Sequence, residues 1–157
     1  MRHEFGEGMQ LHAPLAPLTT FKIGGPADYL LHANGPADVR RAVALAREAG
    51  IPVTVLGGGS NVLVSDGGIR GLVIRLRGGG INRVSDGRIR ADAGVTINGL
   101  VRWTLTHQLA GLEAWAGTPG TVGGAIFGNA HFQGRNISEF VELVTLVTAD
   151  ADFADLP

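Results

Sequence analysis

The sequence contains no cysteine. That absence excludes disulfides and thiolate metal sites, and it fits a cytoplasmic protein. Charge of neither sign dominates: 13 lysines and arginines face 14 aspartates and glutamates, for a formal net charge of −1. No global basic field therefore points to nucleic acid. No stretch approaches the roughly 18 consecutive apolar residues of a membrane-spanning helix. The N-terminal MRHEFGEGMQLHAP has no apolar signal core, and the chain shows no internal repeat and no low-complexity segment. With 157 residues it can build one modest core. No metal, membrane or nucleic-acid partner is expected.

Glycine is what the chain has in excess. Its 25 glycines are about twice the usual share of roughly 7%. Many are paired or tripled between apolar segments, a pattern that signals close backbone approach at several places rather than a flexible linker.

Local patterning gives an outline. Residues 1–17 have no clear period and read as an irregular lead-in. Tyr29–Ala33 reads as a strand. Gly35-Pro36-Ala37-Asp38 is a helix start, with proline at the first position and an acid in the first turn. Val39, Ala42, Val43, Ala46 and Ala49 recur at helical spacing, while Arg40, Arg41 and Arg47 form a solvated face. Gly50 and Pro52 end the helix. Val53–Leu56 and Gly71–Leu76 follow as strands, and a strand–helix–strand unit implies parallel pairing. Beyond Arg77-Gly78-Gly79-Gly80 the character changes, and the boundary between two units is placed there. Asp86-Gly87 signals a hairpin between Ile81–Val84 and Arg88–Ala91. Thr96 caps a helix in which Ile97, Leu100, Val101 and Leu105 share a face. VELVTLVTAD contains a further strand. The final ADFADLP neither caps a helix nor closes a hairpin, so the sequence is expected to stop inside a domain.

Two glycine-dense loops carry the functional signal. LGGGSNV (56–62) is not a Walker loop, because no lysine with Ser/Thr follows the last glycine. Nor is it a dinucleotide fingerprint, because Val62 holds the sixth place and VLVSD starts no helix. Successive backbone N–H groups in a glycine turn still make an anion-binding concavity, to which Ser60 and Asn61 add side-chain donors. The plain alternative is a tight turn. The second loop, Gly117-Thr118-Pro119-Gly120-Thr121-Val122-Gly123-Gly124-Ala125, has the same composition. Two such loops suggest a long ligand with a charged middle and a flat end, as a dinucleotide has. The plain alternative here is close packing of irregular backbone.

TTFKIGGPA (19–27), LGGGSNVLVSDGGIRGLVI (56–74), GLEAWAGTPGTVGGAIFGNA (111–130) and Gly134 stand in the order and spacing of the MurB family, the UDP-N-acetylenolpyruvoylglucosamine reductases of peptidoglycan synthesis. The resemblance runs from Leu18 to Asp150. It implies an α+β chain with the FAD-binding fold of vanillyl-alcohol oxidase and p-cresol methylhydroxylase, incomplete on its C-terminal side. Residues 18–77 would be a first α/β FAD-binding subdomain and 78–157 an incomplete second one, with the substrate-binding domain absent. The resemblance further implies non-covalent FAD, NADPH as reductant, a nucleotide-sugar substrate and a cytoplasmic setting. Gly57, Gly58, Gly59, Ser60 and Asn61 match the segment that hydrogen-bonds the FAD pyrophosphate. Thr118, Pro119, Gly120, Thr121, Gly123 and Gly124 match the loop beside ribityl and isoalloxazine. Asn129 and Gly134 match a stretch where backbone meets the flavin.

That stretch departs from the family pattern. It reads NAHFQG, with His131, Phe132 and Gln133 at positions where two small residues and a tyrosine are usual. In the family a serine donates a proton to the substrate while an arginine and a glutamate support the developing charge. The arginine's G-Y-R-x-S stretch does not occur, and Ser60, Ser65, Ser85 and Ser138 do not match the proton donor. No catalytic residue is assigned, and the chain alone is expected not to turn over. Alternative readings are another flavin oxidoreductase of this fold, of the alcohol or lactone oxidase type, or a non-catalytic flavin-binding remnant. Trp115 is expected to support the second loop and Glu113 to stabilise it. Trp103 is expected to pack, and His107 to be solvated or to cap its helix.

Overall fold

The computed structural model describes residues 2–157. In chain order the elements are α1 (Arg2–Phe5), β1 (Met9–Pro14), β2 (Pro26–Ala33), α2 (Pro36–Glu48), β3 (Val53–Leu56), β4 (Ile69–Leu76), β5 (Ile81–Ser85), β6 (Arg88–Ala91), α3 (Ile97–Thr106), α4 (Val122–Phe127), β7 (His131–Phe132), β8 (Arg135–Asn136), β9 (Val144–Val147) and β10 (Phe153–Leu156). Short 3₁₀ turns lie between several of them.

A four-stranded sheet in the order β1-β2-β4-β3 organises the first half. β2 and β3 both run parallel to β4, as the strand–helix–strand pattern predicts. Leu72, Val73 and Ile74 at its centre are fully buried, because both faces of the sheet are covered. Leu31, Ala33, Leu72 and Ile74 pack on one face against Ala42 and Ala46 of α2. Leu30, Leu56 and Val73 pack on the other face with Ala13, Leu15, Ala27 and Val64. Asp28 ties β2 to β4, accepting a hydrogen bond from the Gly71 amide at 2.8 Å and pairing with Arg70 at 2.7 Å.

Residues 1–17 are not an irregular lead-in. Met9–Pro14 forms β1, antiparallel to β2 on the sheet's edge. The strand has no readable alternation because His12, at φ 48°, interrupts its pleat. Met9 consequently reaches the α2-side core and Ala13 the opposite one, while Leu11 is exposed. ADFADLP is a second correction. Phe153–Leu156 forms β10, which closes a hairpin with β9, pairing Phe153 with Val147 and Leu156 with Val144. Its turn lacks the usual Gly or Asn. Ala151 takes the left-handed conformation at φ 63°, and Thr148 binds Asp152 through both backbone and hydroxyl. The hairpin rests on α2 through an Arg47–Asp150 pair at 3.0 Å and Arg40 over the Phe153 ring.

Residues 81–140 surround a separate core of Val95, Ile97, Leu100, Val101, Trp115, Val122, Ala125 and Ile137. The β5–β6 hairpin forms around Asp86-Gly87. In α3 the inner face is Ile97, Leu100, Val101 and Thr104, not Leu105, which is 53% exposed. Thr104 can take that position because its hydroxyl donates to the Val101 carbonyl at 2.8 Å, which removes the penalty of burying it. Thr96 caps α3 as its sequence position predicts, its hydroxyl accepting from the Gly99 amide at 3.0 Å. Thr96→Ala is therefore expected to cost about 1 kcal/mol, read as a lower urea midpoint with an unchanged slope. Among the described residues no helix is long and apolar enough to cross a membrane.

Candidate functional site

β3 ends at the buried Leu56, and the chain then turns through Gly57, Gly58 and Gly59. These glycines sit against the second glycine loop. A side chain at Gly57 would place its first carbon 2.8 Å from the Thr121 hydroxyl, and one at Gly58 would place it 2.9 Å from the Gly120 Cα. Gly59 has φ 70°, and a side chain there would run into the Leu18 carbonyl. The Gly59 carbonyl accepts from the Thr20 amide at 2.9 Å, which pins the loop to the segment before β2. From the other side, Ser60 Oγ lies where a side chain on Gly120 would go, 2.9 Å from its first carbon. Two loops sixty residues apart in sequence thus meet backbone to backbone, a contact only glycine permits.

The second loop is held by its own network. The Ile97 amide donates to the Gly120 carbonyl at 3.1 Å, and the Val122 amide to the Val95 carbonyl at 2.8 Å. Thr121 caps α4, its hydroxyl accepting from the Gly124 amide at 3.3 Å. The Gly123 amide donates to Ala93 O at 2.9 Å, and a side chain on Gly123 would meet Ala93 Cβ at 2.8 Å. Trp115 stands directly beneath, its carbonyl accepting from the Thr118 amide at 3.1 Å, and Glu113 accepts from the Gly111 amide at 2.8 Å. Hydrogen bonds from its own amide and from Gly111 hold the Glu113 carboxyl below the usual range. Both residues support the loop in the manner the sequence suggests.

Other donors in the two loops are left without a protein partner among the described residues. Among the described residues, the amides of Gly57, Gly58, Gly59, Ser60 and Asn61 donate to no protein acceptor, and neither do those of Gly120 and Thr121. Thr118 Oγ1 is buried without a hydrogen-bond partner. A donor-rich, backbone-lined surface of this kind suits phosphate oxygens. Gly123, Gly124 and Thr118 spend their amides internally, and Pro119 has none, so these residues shape the loop rather than offer backbone donors. Asn129, with φ 40°, braces the following turn by accepting from the Ser138 amide at 3.3 Å. Gly134 sits at the β7–β8 turn with φ 81°, where a side chain would meet nothing within 4 Å. It is not part of the loop–loop contact. His131 is exposed on β7. Trp103 stacks on His107, ring centroids 3.8 Å apart, and His107 caps α3.

Sequence reading missed three supports: Ala93, the Leu18–Thr20 segment, and Asn98, whose side-chain oxygen accepts from the Gly117 amide at 2.6 Å. Asn98 alone carried a signal, as a polar residue in the first turn of the helix, next to Ile97 of its inner face.

The chain belongs to the FAD binding domain family, whose model matches residues 27–156. This agrees with the fold class that the resemblance implies. Within that class the chain is similar to UDP-N-acetylenolpyruvoylglucosamine reductases. It is 43% identical to that of Geotalea uraniireducens over 138 residues, covering 87% of this chain and 46% of the relative. It is 53% identical to that of Rubrobacter xylanophilus over 119 residues, covering 74% and 40%. Among solved structures it resembles the UDP-N-acetylenolpyruvylglucosamine reductase (MurB) of Thermus caldophilus, with TM-score 0.72, 31% identity, and coverage of 94% of this chain and 51% of that one. The chain spans about half the length of the curated relatives it matches.

Proposed function

We propose that this chain is the FAD-binding part of an NADPH-dependent reductase acting on the enolpyruvyl group of UDP-N-acetylglucosamine enolpyruvate, in peptidoglycan precursor synthesis. The observation that carries the reading is the junction of Gly57–Asn61 with Gly120–Thr121, where seven amides stay free of protein acceptors. The diphosphate would lie against these amides, with Ser60 and Thr118 adding hydroxyls. Thr121, Gly123 and Gly124 would hold the second loop in place, and Asn129 and Gly134 would shape the backbone that follows. Residues 18–77 and 78–157 would act as two subdomains, each contributing one glycine loop. FAD, when bound, supplies hydride-transfer chemistry; the task of this chain is to bind and orient it. No catalytic acid or base is assigned to any of its residues. A cytoplasmic setting, in keeping with a chain free of cysteine, belongs to the same proposal.

The test is calorimetric titration of the purified 157-residue chain with FAD, followed by NADPH oxidation with and without the enolpyruvyl substrate. Tight FAD binding by the chain, with no substrate-stimulated NADPH loss by the chain alone, is the expected result. Oxygen consumption with an alcohol or lactone and no response to the enolpyruvyl substrate would replace this reading with that of an oxidase.

A further inference from the structure

The sheet face opposite α2 carries two basic side chains, His32 and Arg75, at the carboxyl ends of its parallel strands, and Arg77 follows just beyond the end of β4. His32 on β2 is paired in register with Arg75 on β4. Arg75 is in turn paired with Leu56, the residue immediately before the glycine loop. Register partners share a face, and Leu56 lies in the core on the side away from α2. Arg77 follows directly after β4 ends at Leu76, close enough for its charge to act on both His32 and Arg75. The carboxyl ends of parallel strands are where open α/β sheets take their ligands.

These groups lack internal counter-charges. Among the described residues neither Arg75 nor Arg77 forms an ion pair, a state shared with Arg40, Arg90 and Arg102, whereas Arg41, Arg47, Arg70, Arg83, Arg88 and Arg135 are paired. What sets Arg75 and Arg77 apart is that their charges act on each other and on His32. Arg75 is half-buried, and the Nδ1 atom of His32 is enclosed without a partner. Burial first, and then the charges of Arg75 and Arg77, push the His32 imidazole below its ordinary range. Burial and Arg77 likewise push the Arg75 guanidinium down. Partly desolvated like charges held together are unfavourable unless an anion joins them. The cluster also touches the loop junction through the backbone. A side chain on Gly94 would meet the Arg77 amide nitrogen at 3.1 Å, and the neighbouring Ala93 packs on Gly123.

We propose that Arg75 and Arg77, with His32 beside them, form a cationic wall of the glycine-loop site and pair with the diphosphate of the bound dinucleotide. This rests on the FAD reading above and extends it: the diphosphate is held by side-chain charge as well as by backbone amides. Arginine suits the role because its planar fork matches phosphate oxygens bidentately. The wall predicts a salt-sensitive binding component that amides alone would not give.

The experiment is calorimetric titration of the 157-residue chain with FAD and, separately, with inorganic pyrophosphate, at low and high salt. The variants are Arg75→Gln, Arg77→Gln and the double change, with Arg47→Gln on the far side of the sheet as control. Thermal melts check folding, and Arg75→Lys, which keeps the charge, replaces Arg75→Gln if that variant does not fold. The expected result is FAD binding at least tenfold weaker in each single variant, with a smaller salt dependence and an unchanged Arg47→Gln. If wild type binds FAD and a folded double variant binds it equally well, the cationic wall is overturned and the FAD reading stands. If wild type binds pyrophosphate in an Arg75-dependent way but not FAD, the wall stands and the flavin reading falls. Binding of neither ligand overturns both.

Discussion

Gly58→Val is expected to yield a folded chain that does not retain FAD. The reason is geometric. The first side-chain carbon at position 58 would already stand 2.9 Å from the Gly120 Cα, and backbone at that distance cannot give way as a flexible side chain can. Valine adds two methyl groups behind that carbon and must push the loops apart. The amides of Gly57–Asn61 and of Gly120–Thr121, which under the proposed function share the diphosphate, would then be moved apart. A hydrogen bond to a charged group contributes roughly 1.5–3 kcal/mol, so losing two weakens binding on the order of a hundredfold or more. Position 58 is exposed and outside the cores, so circular dichroism and the melting temperature should stay near those of the wild type. The flavin absorbance of the purified protein is the readout. A folded Gly58→Val chain as yellow as wild type would show that the loop junction does not hold the diphosphate.

Trp115→Ala is the change with the largest expected effect on stability. Trp115 is 1% exposed at the centre of the second core. Phe132 lies 6.1 Å from its ring and Phe140 meets it edge-on at 6.4 Å. Truncating a buried aromatic to alanine costs about 3–5 kcal/mol, a large part of the roughly 5–15 kcal/mol that keeps a domain folded. The loss should appear as a lower urea midpoint, and the same variant should bind FAD poorly because the Thr118 amide rests on the Trp115 carbonyl. Trp115→Phe should recover much of the stability, since the indole Nε1 has no protein acceptor to lose. Equal midpoints for Trp115→Ala and wild type would mean that this core is not what stabilises residues 81–140.

Much of this architecture was legible because its signals are local. Proline at the first position of α2, alternating small and branched residues on its inner face, and Gly50 after its end fix the helix without reference to anything distant. β4 is marked by the apolar run Leu72–Ile74, which is covered on both faces, and β3 by its β-branched Val53, Thr54 and Val55, although these stay exposed and only Leu56 is buried. β1 and β10 were illegible for the opposite reason. Each owes its existence to a partner strand rather than to its own pattern: β1 is broken at His12, and β10 is reached through a turn made by Ala151. In the candidate site, composition pointed to both glycine loops, but only the fold shows that Gly57 and Gly58 face Thr121 and Gly120. Ala93 and Leu18 were invisible in the sequence because they contribute ordinary backbone and a methyl group, with no chemistry to mark them.

The contact of the Gly59 loop with the Leu18 carbonyl also sets how this protein can change over time. At an ordinary interior position the penalty for a replacement grows with the volume gained or lost, so drift proceeds by small steps such as leucine to methionine. Where the very first side-chain atom collides with main chain, and φ is 70° as well, that gradation disappears. Alanine is nearly as bad as tryptophan, and no conservative neighbour exists through which a lineage could pass. Such a position is all-or-none. The contact can be altered only by rebuilding the glycine loop and the Leu18–Thr20 segment together.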